Sequence, residues 1–261
     1  MLKSISAKLK IVLPLLLLLI VCVAGCGETE EPAPFSVSPD SKLVCLYFDD
    51  AYWNQYHVAL PILLKHDFKA AFGVITGHIG TGHDLWEYMD EHELRELVEN
   101  GMDIACHTRT HPYLTDNLTD DQLREEIIDS KKHLENMGFE VSTFIYPYYV
   151  WDDRVIQYVK DAGYTCARAG WSDKAPYNLS AHLPDAEYHY PSWQISSQNM
   201  DEFKAIVDTA SSYRVVCLVY HFIADEGPEG LTTPVENFRE QMTYLKQGGF
   251  TVVIMPDLLG Q

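Results

Sequence analysis

Seven short apolar runs alternate with six amphipathic stretches along most of the chain, and this alternation restricts the fold more than any other feature. The runs are Leu43–Phe48, Lys69–Ile75, Met102–Cys106, Val141–Tyr146, Tyr164–Arg168, Val215–Tyr220 and Phe250–Ile254. Each is nearly continuously apolar, which suits a strand covered on both faces. Helical patterns fall between them at about Gln55–His66, Asp90–Asn100, Thr119–Met137, Asp152–Ala162, Met200–Ser211 and Pro234–Gln247. Strands of that kind joined by helices form a parallel sheet with the helices packed outside it. Gly101, Gly138, Gly163 and Gly249 each close a helical stretch just before an apolar run, where a left-handed cap is needed. The pattern predicts an α/β fold, a deformed (β/α) barrel of about seven parallel strands, as one domain over 42–261.

The N-terminus is of a different kind. Lys3, Lys8 and Lys10 precede the apolar run Ile11–Ala24, and Gly25-Cys26 follows it. The run has 14 residues with Pro14 inside it, short of the roughly 18 to 20 that a spanning helix needs. It reads as an export signal. Val23-Ala24-Gly25-Cys26 resembles the lipobox of bacterial-type lipoproteins, which predicts removal of residues 1–25 and lipidation of Cys26. An ordinary secretory signal with an incidental cysteine is the alternative. Residues 26–41, rich in Glu and Pro, have the composition of an extended tether. The expected location is the outer face of the cell membrane or the periplasm, with the membrane held through the lipid.

Composition removes one class of partner. Acids outnumber bases 38 to 19, for a net charge of −19, and no block of Lys or Arg occurs beyond the N-terminus. A surface that tracks nucleic-acid phosphates is hard to build from this, and no nucleic-acid partner is expected. Cys45, Cys106, Cys166 and Cys217 each lie inside an apolar segment and no CxxC pair exists. They read as buried thiols in strand interiors, with no structural disulfide expected.

In such barrels functional groups gather where strands end. The first run ends in Asp49-Asp50, two carboxylates that repel each other unless a cation or hydrogen bonds offset them. A solvated acidic turn is the alternative. The third run ends in His107-Thr108-Arg109-Thr110-His111, two imidazoles four residues apart. On one helical turn that spacing puts both rings on the same side. Two surface histidines are the alternative. Because both segments end strands of one sheet, a carboxylate and two imidazoles can converge, and that set with an open position matches a catalytic zinc site. His221 ends the run Val215–Tyr220 at the same face, and Phe144–Tyr149 ends in a proline-fixed turn that can aim a backbone N–H inward.

Taken in order, YFDDAY, HTRTH, FIYPYY followed by DDRVIQYVKDAGY, and LVYHF resemble the motifs of the polysaccharide deacetylases, carbohydrate esterase family 4, over about Lys42–Leu259. The resemblance implies a barrel binding one divalent metal, usually Zn2+, through Asp50, His107 and His111. It also implies Asp49 as general base, the Tyr148 backbone N–H as oxyanion donor and His221 as general acid. The substrate implied is an acetylated polysaccharide, and the activity is removal of N-acetyl groups from an amino-sugar polymer. An O-acetyl esterase on xylan or a similar glycan is a second reading, and a catalytically impaired glycan-binding lipoprotein a third. Tyr148, Tyr149, Trp151, Trp171 and Trp193 are candidates for stacking on sugar rings, Tyr148, Tyr149 and Trp171 foremost.

The chain departs from the family pattern at three places. Ile145 stands where many members have the arginine that orients the base, and Arg109 and Arg168 are the candidates to replace it. Trp171 and Asp173 are the nearest match to the motif that tethers the last histidine. Ala51 occupies the usual glycine position after the aspartate pair.

Overall fold

Alternation along the first strand sets up the two layers of the protein. In β1 (Lys42–Phe48), Val44, Leu46 and Phe48 join the cluster that includes the helix faces, while Leu43, Cys45 and Tyr47 join a second cluster inside the barrel. Both faces are buried, which is why the run reads as continuously apolar. The computed structural model describes residues 38–170, 177–178, 185–212 and 214–259. The stretch expected to be an export signal, Cys26, Trp171 and Asp173 lie outside the described residues.

From β1 the sheet grows by parallel neighbours through β2 (Ala71–Val74), β3 (Asp103–Cys106), β4 (Thr143–Ile145) and β5 (Cys166–Arg168). On the other side of β1 lies β8 (Arg214–Tyr220), in parallel register from Val44↔Val216 to Phe48↔Tyr220. Two short strands pair with β8, β6 (Tyr177–Asn178) antiparallel and β7 (Trp193–Gln194) parallel. Tyr190 bridges Arg168 of β5, and the chain runs from it into β7. The stretch from Tyr190 to Gln194 therefore joins the β5 side to the β8 side and closes the barrel loosely. Beyond β8, β9 (Phe222–Ile223) and β10 (Thr232–Thr233) form a small parallel pair, and β11 (Phe250–Val253) pairs with the first half of β1. All seven expected strands form. The two-residue strands β6, β7, β9 and β10 were not expected, since so short a run carries no periodic signal.

The outer layer follows the sequence closely. A π-helical turn at Gln55–Ala59 leads into α1 (Leu60–Lys65), and α2 (Glu91–Glu99) follows. Next, α3 (Asp120–Leu123) continues through a second π-helical turn, Arg124–Asp129, into α4 (Ser130–Asn136). After these come α5 (Asp153–Asp161), α6 (Met200–Val207), α7 (Val235–Gln247) and α8 (Met255–Leu259). Asp90, Thr119 and Asn199 start α2, α3 and α6 with reciprocal capping boxes. The four predicted cap glycines all have positive φ.

Space inside the barrel is distributed unevenly. A β-carbon on Gly73 would come 2.8 Å from Ile145 Cδ1, so the glycine of β2 makes room for that side chain. Arg168, fully buried, rises through the same interior. Cys45, Cys106, Cys166 and Cys217 are buried and free.

Candidate active site

Four strand ends meet over the barrel mouth. Asp49 and Asp50 follow β1, His107 follows β3, the turn Pro147–Tyr149 follows β4 and His221 follows β8. The backbone here is strained. Of nine non-glycine residues with positive φ among the described residues, Asp50, Ala51, Thr108, His111, Tyr148 and Tyr149 belong to these loops. Each such conformation costs on the order of 1 to 3 kcal/mol, and they concentrate where geometry serves chemistry. Ala51, at φ 59°, keeps the left-handed turn that glycine adopts without strain.

Asp50, His107 and His111 come together: one ligand atom of each lies within 4.8 Å of the others. His107 Nε2 is 3.6 Å and His111 Nε2 3.7 Å from Asp50 Oδ1. His107 Nδ1 donates to the Ile145 carbonyl at 2.9 Å, which leaves the Nε2 lone pair facing Asp50, as in a metal-bound imidazole. The route to this convergence differs from the one expected. Residues 107–111 form no helical turn. Thr108 and His111 take left-handed φ, and the His111 N–H donates to Thr108 Oγ1 at 2.9 Å, so a tight loop folds the two rings together.

The charges suit a cation. Burial and the adjacent Asp49 push the Asp50 carboxyl up to about 7. Burial, aided by His111, pushes His107 down to about 3, and burial also lowers His111. Two imidazoles that resist protonation beside a carboxyl lacking a counter-charge are a donor set for a divalent metal with N and O ligands, zinc included.

Asp49 has a partner of its own. Arg168 Nη2 donates to Asp49 Oδ2 at 2.6 Å, with both side chains buried. Arg168 is fixed in turn by Ser192 Oγ at 3.0 Å, and its guanidinium lies over the rings of Tyr47 and Tyr149. Burial acts to raise the Asp49 carboxyl, but the Arg168 guanidinium together with the imidazoles of His107, His221 and His111 holds the group below the ordinary carboxylate range. Arg109, the other candidate, is paired at the surface with Glu125 at 3.1 Å. Ile145 and Arg168 are register partners on β4 and β5, so the charge has moved one strand along at the same height.

His221 is buried with Nε2 3.9 Å from Asp49 Oδ2. Burial pushes its imidazole down to about 4 although Asp49 opposes this. Its Nδ1 has no hydrogen-bond partner among the described residues. A cavity of about 430 Å³ opens above the group, walled by Tyr52, His78, Tyr88, Tyr148, Tyr149 and Gln194. Tyr148 sets a ring edge against His111 and stacks on Tyr113 at 3.7 Å, both tyrosines exposed. Tyr149 is committed to the Arg168 guanidinium and to Gln194 Oε1, 2.8 Å away. Trp151 packs on His189 and Trp193 lies in β7, and neither lines the cavity.

Among the contributors the sequence left unnoticed are Glu126 and Tyr52. Glu126 accepts from the N–H groups of Arg109 and Thr110 at 2.9 and 2.8 Å and from Thr110 Oγ1 at 2.6 Å, pinning the loop between the two histidines. Its signal was a charge on the buried stripe of Leu123, Ile127 and Ser130. Tyr52 hydrogen-bonds Asp50 from the cavity wall.

Comparison with known proteins bears on the same residues. The polysaccharide deacetylase family model matches residues 36–167, half of the chain, and takes in Asp49, Asp50, His107 and His111. YxkH of Bacillus subtilis (strain 168), named for that family, is 34% identical over 127 residues, 48% of this chain and 44% of its own length. The poly-β-1,6-N-acetyl-D-glucosamine N-deacetylase of Staphylococcus aureus (strain MRSA252) is 29% identical over 133 residues, 47% of this chain and 46% of its own length. The matches thus span less than half of these curated relatives. The solved Streptococcus pyogenes deacetylase PplD in complex with acetate gives a TM-score of 0.52 at 26% identity, covering 60% of this chain and 66% of that one. The Xyl-CE4 domain of a multidomain xylanase from the hindgut metagenome of Trinervitermes trinervoides gives 0.58 at 19%, covering 85% and 91%, and shows the fold. With the aspartate pair and both histidines of its motifs gathered at one barrel mouth and half its length matched by the family model, the chain belongs to the polysaccharide deacetylase family.

Proposed function

We propose that the chain is a metal-dependent hydrolase that removes N-acetyl groups from an amino-sugar polysaccharide. The observation that carries this is the division of labour between adjacent carboxylates: Asp50 faces His107 and His111, while Asp49 faces Arg168. The Staphylococcus aureus relative, named for an N-acetylglucosamine polymer, supports the substrate class.

Zinc held by Asp50, His107 and His111 would polarise the acetyl carbonyl and make water a better nucleophile at neutral pH. Asp49, kept ionised by Arg168, takes the proton of the attacking water. The Tyr148 N–H, at the strained turn after β4, donates to the developing oxyanion. His221 returns a proton to the leaving nitrogen. At rest and neutral pH its imidazole is uncharged, so the proton it gives to the nitrogen is the one Asp49 has taken from water, passed on across the 3.9 Å between Asp49 Oδ2 and His221 Nε2. An amide needs this last step more than an ester, because an amine leaves poorly unless protonated.

The Arg168 contact takes away one of the two grounds for a catalytically impaired reading, since the base is tethered despite Ile145. The purified zinc-loaded chain is expected to release acetate from N-acetylglucosamine oligomers faster than from acetylxylan, and to stop doing so after chelation or in His107→Ala. Inertness on both glycans would overturn the proposal. The export-type N-terminus supports action outside the cytoplasm from a lipid on Cys26. A lipid mass on that residue, lost with globomycin, checks it.

A further inference from the structure

Gln55 is fully buried at the start of the first π-helical turn, six residues after Asp49. Its Nε2 donates to two backbone carbonyls, that of Asp49 at 2.6 Å and that of His221 at 2.7 Å. These carbonyls belong to chain segments that have just separated. The register of β1 with β8 ends at Phe48↔Tyr220, and the Asp49 N–H makes one further backbone bond to the Tyr220 carbonyl at 2.9 Å. Past that point the Gln55 amide stitches the two strand ends together. Asn54 repeats the stitch one step further on, its Oδ1 accepting from the Ile223 N–H at 2.9 Å.

A primary amide suits this position. It carries two N–H donors on one uncharged nitrogen, so it can serve two carbonyls without burying a charge. Its Oε1, in contrast, has no hydrogen-bond partner among the described residues. A buried acceptor left unpaired costs stability, and the side chain carries that cost while its nitrogen serves the two carbonyls. π-helical turns recur where a side chain must leave the regular helix face at a functional site.

We propose that Gln55 is a positioning residue of the hydrolytic site, holding the backbones of Asp49 and His221 as one unit. The base and the acid, 3.9 Å apart through Asp49 Oδ2 and His221 Nε2, then take and return the proton at a fixed separation. The inference rests on the assignment of those two residues as base and acid under the proposed function. Gln55 is not among the residues that line the cavity, and its hydrogen bonds run to backbone carbonyls, so its loss is expected to act on turnover more than on substrate or zinc binding.

The test uses the full chain loaded with zinc and N-acetylglucosamine oligomers as substrate. Gln55→Met keeps the length and removes both donors, whereas Gln55→Glu keeps the shape and, as a buried protonated carboxyl, retains one. The expected result is a kcat at least tenfold lower in Gln55→Met, with KM and zinc content each within twofold of the parent, and Gln55→Glu between the two. A folded Gln55→Met with kcat within twofold of the parent overturns the proposal. So does a loss of kcat matched by loss of zinc, or a failure of both variants to fold, which would assign Gln55 to stability alone. A parent chain that releases no acetate ends the hydrolase reading and the clamp with it, whereas an active parent with an equally active variant ends the clamp alone.

Discussion

Arg168 reaches Asp49 from β5, the strand beside the one that carries Ile145, and donates to its carboxylate at 2.6 Å. The tether on the base is thus preserved while its point of attachment has moved sideways by one register-paired position. What the site needs is a buried guanidinium at that height, and either strand can supply one.

Removing this guanidinium leaves Asp49 buried with its charge uncompensated. In Arg168→Met the carboxyl pKa rises, because the group that held it down is gone while burial remains. The acid limb of the pH–rate profile is expected to move to higher pH, with kcat at neutral pH down about 100-fold, the scale of a general base. Stability falls by about 3 to 5 kcal/mol, as for a broken buried ion pair. Rate profiles and denaturant unfolding check the two halves.

Asp50 makes metal affinity depend on pH. Binding requires the carboxylate, and its carboxyl titrates at about 7 in the metal-free site, while His107, at about 3, is already neutral above pH 5. Zinc affinity should therefore rise about tenfold per pH unit up to about pH 7 and level off above it. Competition with a chromophoric chelator between pH 5.5 and 8.5 measures this.

Glu126 holds the loop between the two histidine ligands through three hydrogen bonds. In Glu126→Gln the amide can accept with one oxygen only. Zinc affinity is expected to fall about tenfold, within the range seen for groups that orient metal ligands, and excess zinc should restore most of the activity. Isothermal titration beside rate measurements separates the two effects.

Ala51 sits at φ 59° where glycine would be unstrained. Ala51→Gly should stabilise the protein by about 1 kcal/mol, the reverse of a Gly→Ala change at positive φ. The melting temperature would rise by roughly 2 to 4 °C, with kcat within twofold of the parent. Calorimetry and acetate release together check it.

How much of this was legible beforehand depends on distance along the chain. β1 and β8 are buried on both faces, so their runs announced themselves, and the cap glycines marked where helices stop. β7 has two residues, too few for a pattern, yet its pairing with β8 completes the closure begun at Tyr190. The ligand trio was readable because Asp50, His107 and His111 lie at the ends of recognisable strands. Choosing Arg168 over Arg109 required the β4–β5 register, which only the folded sheet supplies. Gln55 resembles any first residue of an amphipathic helix, and nothing local shows that it bonds to a carbonyl 166 residues away.

Anomalous diffraction at the zinc edge from zinc-soaked crystals addresses the metal centre without relying on activity. One strong peak is expected at roughly 2.0 to 2.2 Å from a carboxylate oxygen of Asp50 and one ring nitrogen each of His107 and His111. Absence of a peak there at saturating zinc, with the three side chains turned away from one another, would contradict a metal-dependent hydrolase.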